Sequence, residues 1–91
     1  MASLSFDKAM TTGHGPYPPT QINSSQSKFF VENKAALVTG DLANNHGHSP
    51  VGACIASSTK FFIGGKAAVQ IGDPLTDGDT VAQGSSKFFI N

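Results

Sequence analysis

Ninety-one residues carry ten Gly, five Pro, seven Phe, no Trp and one Cys, with 38 % hydrophobic residues and six Lys balancing six acidic side chains. That length allows a single domain over residues 1–91 with a marginal core, burying about 60–65 % of its unfolded surface, and a lone cysteine excludes an internal disulfide as its staple. A formal net charge of zero excludes the basic surface that phosphate contacts demand, so no nucleic acid is expected as a ligand.

In chain order, MASLSFDKAM lacks a charged leader followed by an apolar run, and no later stretch approaches the roughly 20 apolar residues of a spanning helix. The expectation is synthesis in a cytoplasm without a signal peptide. Lys8-Ala9-Met10-Thr11-Thr12-Gly13-His14 then traces in outline a pattern that recurs later in full. Ser24 to Asp41 reads SSQSKFFVENKAALVTGD, and Ala56 to Asp73 reads ASSTKFFIGGKAAVQIGD. A third start, GSSKFFIN, occupies Gly84 to Asn91. The three Lys-Phe-Phe segments begin at Lys28, Lys60 and Lys87, spaced 32 and 27 residues apart, and internal repetition of this kind outranks local propensity as a guide to architecture.

Within each unit the pattern is a β-hairpin. Lys60-Phe61-Phe62-Ile63 is aromatic and β-branched, Gly64-Gly65 suits a two-residue turn, and Lys66 to Ile71 returns; Glu32-Asn33 takes the turn place in the first unit. The third unit has an outgoing arm at the carboxyl end and a return arm at the amino end. The fold class is therefore all-β, with three hairpin units closed by the two chain ends, an arrangement that hides edge strands. Alternation sends Phe29, Phe61 and Phe88 one way and Phe30, Phe62 and Phe89 the other. It does not say which set faces outward.

His14 and the connection containing His46, His48 and Cys54 hold every histidine and the one thiol of the chain. Three imidazoles and a thiolate suit one closed-shell tetrahedral zinc ion, iron being the less favoured alternative. Such a clip contributes on the order of 10 kcal/mol in small domains. The competing reading is of unrelated surface histidines and a small buried thiol. Catalysis has little support: a zinc hydrolase needs an open coordination position and a general base, and the one glutamate, Glu32, lies in a hairpin turn. Asp41, Asp73, Asp77 and Asp79 could bind a hard cation, but the more ordinary role of an aspartate after a glycine is turn capping.

Thr12-Gly13-His14-Gly15, the Lys-Ala-Ala-x-x-x-Gly-Asp segments, the His-containing connection and Gly84 to Ile90 together resemble the PAAR-repeat proteins, which tip the spikes of contractile phage tails and bacterial type VI secretion systems. The resemblance implies a small cone of pseudo-threefold hairpins with a zinc near the vertex, held by three histidines and a cysteine. His14 and His46 are the closest matches to such ligands, Cys54 comes next, and His48 completes the set. It further implies a non-enzymatic cap, one copy per trimeric β-helical spike, in transient contact with the target cell envelope. The location implied is the baseplate spike tip of a virion, with a type VI apparatus as the alternative. The chain departs from the family pattern in two places. Lys34-Ala35-Ala36-Leu37 and Lys66-Ala67-Ala68-Val69 stand where the family often has Pro-Ala-Ala-Arg. The usual cysteine after the second Gly-Asp is absent, Asp73 being followed by Pro74-Leu75-Thr76-Asp77, which shifts the cysteine ligand onto Cys54. A generic zinc-stabilised structural or adhesion module is the alternative function.

Overall fold

Glu32 and Asn33, with φ of 52° and 66°, and Gly64 and Gly65, with φ of 59° and 84°, fill both central positions of two tight turns. Positive φ at both places matches the twist of the flanking strands, and glycine is the residue that adopts it without a Cβ penalty. The computed structural model describes residues 2–44, 47, 51–57 and 60–90. Its strands are short: β1 (Ala2–Ser3), β2 (Phe30–Val31), β3 (Lys34–Ala35), β4 (Phe62–Ile63), β5 (Lys66–Ala67) and β6 (Phe89–Ile90). They pair antiparallel as β2 with β3, β4 with β5, and β1 with β6. The last pair joins segments from the two ends of the sequence, as the split third unit requires. Among the described residues no helix is long and apolar enough to cross a membrane.

Register corrects one expectation. Phe30 faces Ala35, Phe62 faces Ala67, and Phe89 faces Ser3. The return arm of the third unit is therefore Ala2–Ser3, continued by Leu4 and Ser5, and not the sequence-similar Lys8-Ala9. Backbone geometry agrees, because Lys8, at φ 69°, occupies the place of Gly40 (92°) and Gly72 (90°). All three N–H groups donate to equivalent carbonyls, Lys8 to Ile22, Gly40 to Cys54 and Gly72 to Val81. Burial decides the register: it puts Leu4, fully buried, level with the buried Ala36 and Ala68.

The units are tied to one another below the hairpins. The Ser5 N–H donates to the Val69 carbonyl at 2.9 Å, Val69 N–H to Leu37 at 2.9 Å, and Leu37 N–H back to Ser5 at 3.2 Å, a closed cycle of backbone bonds. Isolated bridges repeat the circuit one step away: Phe6 with Ala36, Val38 with Ala68, and Gln70 with Leu4. Interior backbone polar groups are thus satisfied by neighbouring units where short strands cannot satisfy them. Gly84 helps close the circuit, since a Cβ there would fall 2.6 Å from the Ser3 Cβ.

Two apolar clusters stack along this arrangement. Leu4, Val31, Ala36, Val38, Ile63, Ala68 and Ile90 form one, with Phe29, Phe61 and Phe88 packed against it. Those three rings meet one another, with centroids 5.1, 5.4 and 5.4 Å apart, within the separation at which aromatic pairs attract. The second cluster contains Ala9, Ile22, Leu37, Ala43, Cys54, Val69, Leu75 and Val81. The Cα radius of gyration is 11.8 Å and the body measures 32 × 23 × 22 Å. Asp41 and Asp73 cap turns as expected: the Val38 N–H donates to Asp41 at 2.8 Å, and the Gln70 N–H to Asp73 at 2.9 Å.

Candidate metal centre

His14 begins a tight two-residue turn across Gly15-Pro16. Its N–H donates to the Tyr17 carbonyl at 3.0 Å, and its own carbonyl accepts the Tyr17 N–H at 2.9 Å. The imidazole leans on the Tyr17 ring, centroids 5.0 Å apart. On its other side lies the loop Asp77-Gly78-Asp79, with His14 Nε2 3.4 Å from Asp77 Oδ2. The Asp77 side chain is 2 % exposed and that of His14 is 17 % exposed.

The loop is shaped by its own hydrogen bonds. Asp77 Oδ1 accepts the Asp79 N–H at 3.1 Å, a short-range turn that aspartate commonly makes. Asp79 Oδ1 accepts the N–H groups of Gly13 and Thr80, each at 2.9 Å, and the Thr12 hydroxyl at 3.3 Å. Asp79 Oδ2 is buried and has no hydrogen-bond partner. Gly52 makes room for Asp77: a Cβ there would lie 2.6 Å from Asp77 Oδ1. One donor atom from each of His14, Asp77 and Asp79 lies within 4.8 Å of the other two.

Two buried carboxylates at that range repel by about 3–4 kcal/mol at an effective dielectric of 20. A cation bound between them would offset this repulsion, and Asp79 has an oxygen free to take part. The donor set, one imidazole and two carboxylates, therefore fits a divalent ion.

Cys54 sits in different surroundings. Its N–H donates to the Asp41 carbonyl, as that of Ile22 donates to Ala9 and that of Val81 to Asp73, so the three side chains hold equivalent places. Ile22 and Val81 are core residues, 0 % and 2 % exposed, and Cys54 matches them at 2 %. Burial, reinforced by Asp41 and Asp73, pushes its thiol up to about 12. A thiol so placed behaves as a small hydrophobe rather than as a thiolate. His46 and His48 lie outside the described residues. Gly47 between them is described, and a Cβ there would touch the Tyr17 ring at 3.4 Å.

Of the two predicted ligands among the described residues, His14 stands in the cluster and Cys54 does not. Asp77 and Asp79 are legible in the sequence as possible cation ligands but rank below turn capping, because aspartate beside glycine ordinarily caps a turn, which is what Asp41 and Asp73 do. The corrected register supplies the missing signal: it aligns Thr11-Thr12-Gly13-His14 with Leu75-Thr76-Asp77-Gly78, putting Asp77 on the same tier as Gly13.

Residues 12–83 match the PAAR motif model. The chain belongs to the PAAR motif family. The match takes in His14, both complete repeats and the Asp77–Asp79 loop, so the cluster lies inside the PAAR motif. Membership makes this chain a structural, non-catalytic PAAR module with a side-chain cluster able to hold a metal ion. No curated protein matches the sequence.

Proposed function

We propose that residues 1–91 form one spike-tip domain that caps and sharpens a trimeric β-helical spike and helps it pierce a target cell envelope. In this reading the three hairpin units are pseudo-threefold related around the axis of a cone. The cycle through Ser5, Leu37 and Val69 supports that arrangement. Three similar faces on one chain suit a true trimer, so one copy serves each spike.

The observation that carries the proposal is the threefold display of phenylalanine. Phe30, Phe62 and Phe89 are 54 %, 53 % and 43 % exposed, each on the first strand of its hairpin beside the inward-turned Phe29, Phe61 or Phe88. Equivalent exposed aromatic rings from all three units are costly to leave in water and gain on docking roughly 25 cal/mol per Å² buried, before association costs. The hairpin end is accordingly the docking face. The location proposed is the baseplate spike tip of a contractile phage tail, with the type VI apparatus as the alternative.

One structural ion, zinc before iron, belongs to the same reading, at the end that bears His14. His46 and His48 are proposed as its further nitrogen donors, because Gly47 between them approaches Tyr17 beside His14. The core placement of Cys54 argues against its taking part. Titration against an isolated trimeric spike tests the docking claim: the triple variant Phe30→Ser, Phe62→Ser, Phe89→Ser should keep its fold and lose at least 10-fold in affinity, about 1.4 kcal/mol. Unchanged affinity removes the hairpin face as the interface.

A further inference from the structure

We infer that the ion of this chain is held by an imidazole–carboxylate set in which Asp77 and Asp79 join His14, the remaining place being open to His46 or His48, and that Cys54 is a core residue which never binds the ion. The inference rests on the metal-bearing tip proposed above and changes the chemistry of its centre. A site of nitrogen and oxygen donors is harder than one containing thiolate. It accepts zinc, cobalt or ferrous iron and loses the thiolate's preference for soft ions.

Three observations converge on it. The first is the orphaned Oδ2 of Asp79, a cluster residue: it is buried without a partner while its sister oxygen accepts three hydrogen bonds. Buried carboxylate oxygens are rarely left so, because the desolvation of a charged group is expensive. The second is the 3.4 Å separation of His14 Nε2 from Asp77 Oδ2. It exceeds the 2.7–2.9 Å of a charge-assisted hydrogen bond, yet two ligands about 2.1 Å from a tetrahedral ion stand about 3.4 Å apart. The third is that Gly52 holds open the space the Asp77 carboxylate occupies.

The thiol is excluded on separate grounds. Equivalent backbone bonds set Cys54 level with Ile22 and Val81, so its side chain fills one third of an apolar tier. Turning it toward an ion would open a cavity in that tier. Asp77 meanwhile supplies a negative donor within reach of His14.

The test uses the full chain stripped with a chelator and reloaded with Co²⁺ or Zn²⁺. Cobalt bound by nitrogen and oxygen donors shows visible ligand-field bands and no intense thiolate-to-metal charge-transfer band in the near ultraviolet. That spectrum is expected from the unmodified protein, which needs no variant to fold. Cys54→Val should bind one Zn²⁺ with affinity within about 3-fold of the parent. Asp79→Asn should weaken Zn²⁺ at least 10-fold while raising the thermal midpoint of the metal-free protein, because the amide keeps the Oδ1 contacts and removes a buried charge. A charge-transfer band that disappears in Cys54→Val gives the site to the thiol and overturns the inference, as does failure to retain either ion. Spike affinity is titrated separately: loss of docking with an intact cobalt spectrum defeats the spike-tip reading and leaves the ligand assignment standing.

Discussion

The hairpin end and the His14 end of this molecule are held by different forces. At the hairpin end the pattern occurs three times: a strand pair, a buried branched residue at Val31, Ile63 or Ile90, an inward Phe and an exposed one, with a turn joining the arms in two of the three units. Its stability comes from apolar burial and from backbone bonds passed between units. At the other end nothing repeats. His14, Asp77 and Asp79 come from two segments that share a backbone plan and differ in side chain, and the two buried carboxylates there repel each other. Repetition specifies the scaffold, and departure from repetition marks the place where the chain does something singular.

The largest expected effect breaks the repeated end. Removing residues 1–10 deletes β1, Leu4 and the Ser5 link of the backbone cycle, and should cost several kcal/mol; a truncated protein with the parent's thermal midpoint would show that the circuit is not closed through the amino end. Leu4→Ala, at a position 0 % exposed, isolates the burial component and should cost about 2–5 kcal/mol by urea denaturation.

Cys54 sharpens the boundary between the two regions. Its thiol has a raised folded value, so the stability it contributes is fully present below its ordinary value of 9.0 and is lost as pH rises from there toward about 12. Denaturation midpoints at pH 8 and pH 10.5 should therefore fall further for the parent than for Cys54→Val, which has no proton to lose. At neutral pH the same replacement, at a place its equivalents give to Ile22 and Val81, should change stability by no more than about 1.5 kcal/mol.

The smallest effect concerns Lys8, whose φ of 69° is met by glycine in the two equivalent units. Lys8→Gly should gain up to about 1 kcal/mol from relieved backbone strain, less what is lost with the 2.6 Å bond from Lys8 Nζ to Asn23. A drop in the thermal midpoint would mean that this bond outweighs the strain.

The sequence by itself determined the all-β class, the hairpins at Glu32-Asn33 and Gly64-Gly65, the sharing of a third unit between the chain ends and the opposite facing of neighbouring Phe residues. The hairpins and the facing of the Phe residues come from short-range rules, turn chemistry and alternation, and the split unit comes from comparing repeats along the chain. The tertiary structure alone decided which Phe set is exposed, because that depends on where the three inward rings meet. It also moved the return arm from Lys8-Ala9 to Ala2–Ser3, since likeness of letters carries no information about which register buries Leu4. The candidate site was half legible: His14 stands out by residue type, whereas Asp77 and Asp79 share their local pattern with the capping Asp41 and Asp73. What separates them is an oxygen left without a donor and a distance to an imidazole some 60 residues away in the chain, and both exist only once the units have closed on one another.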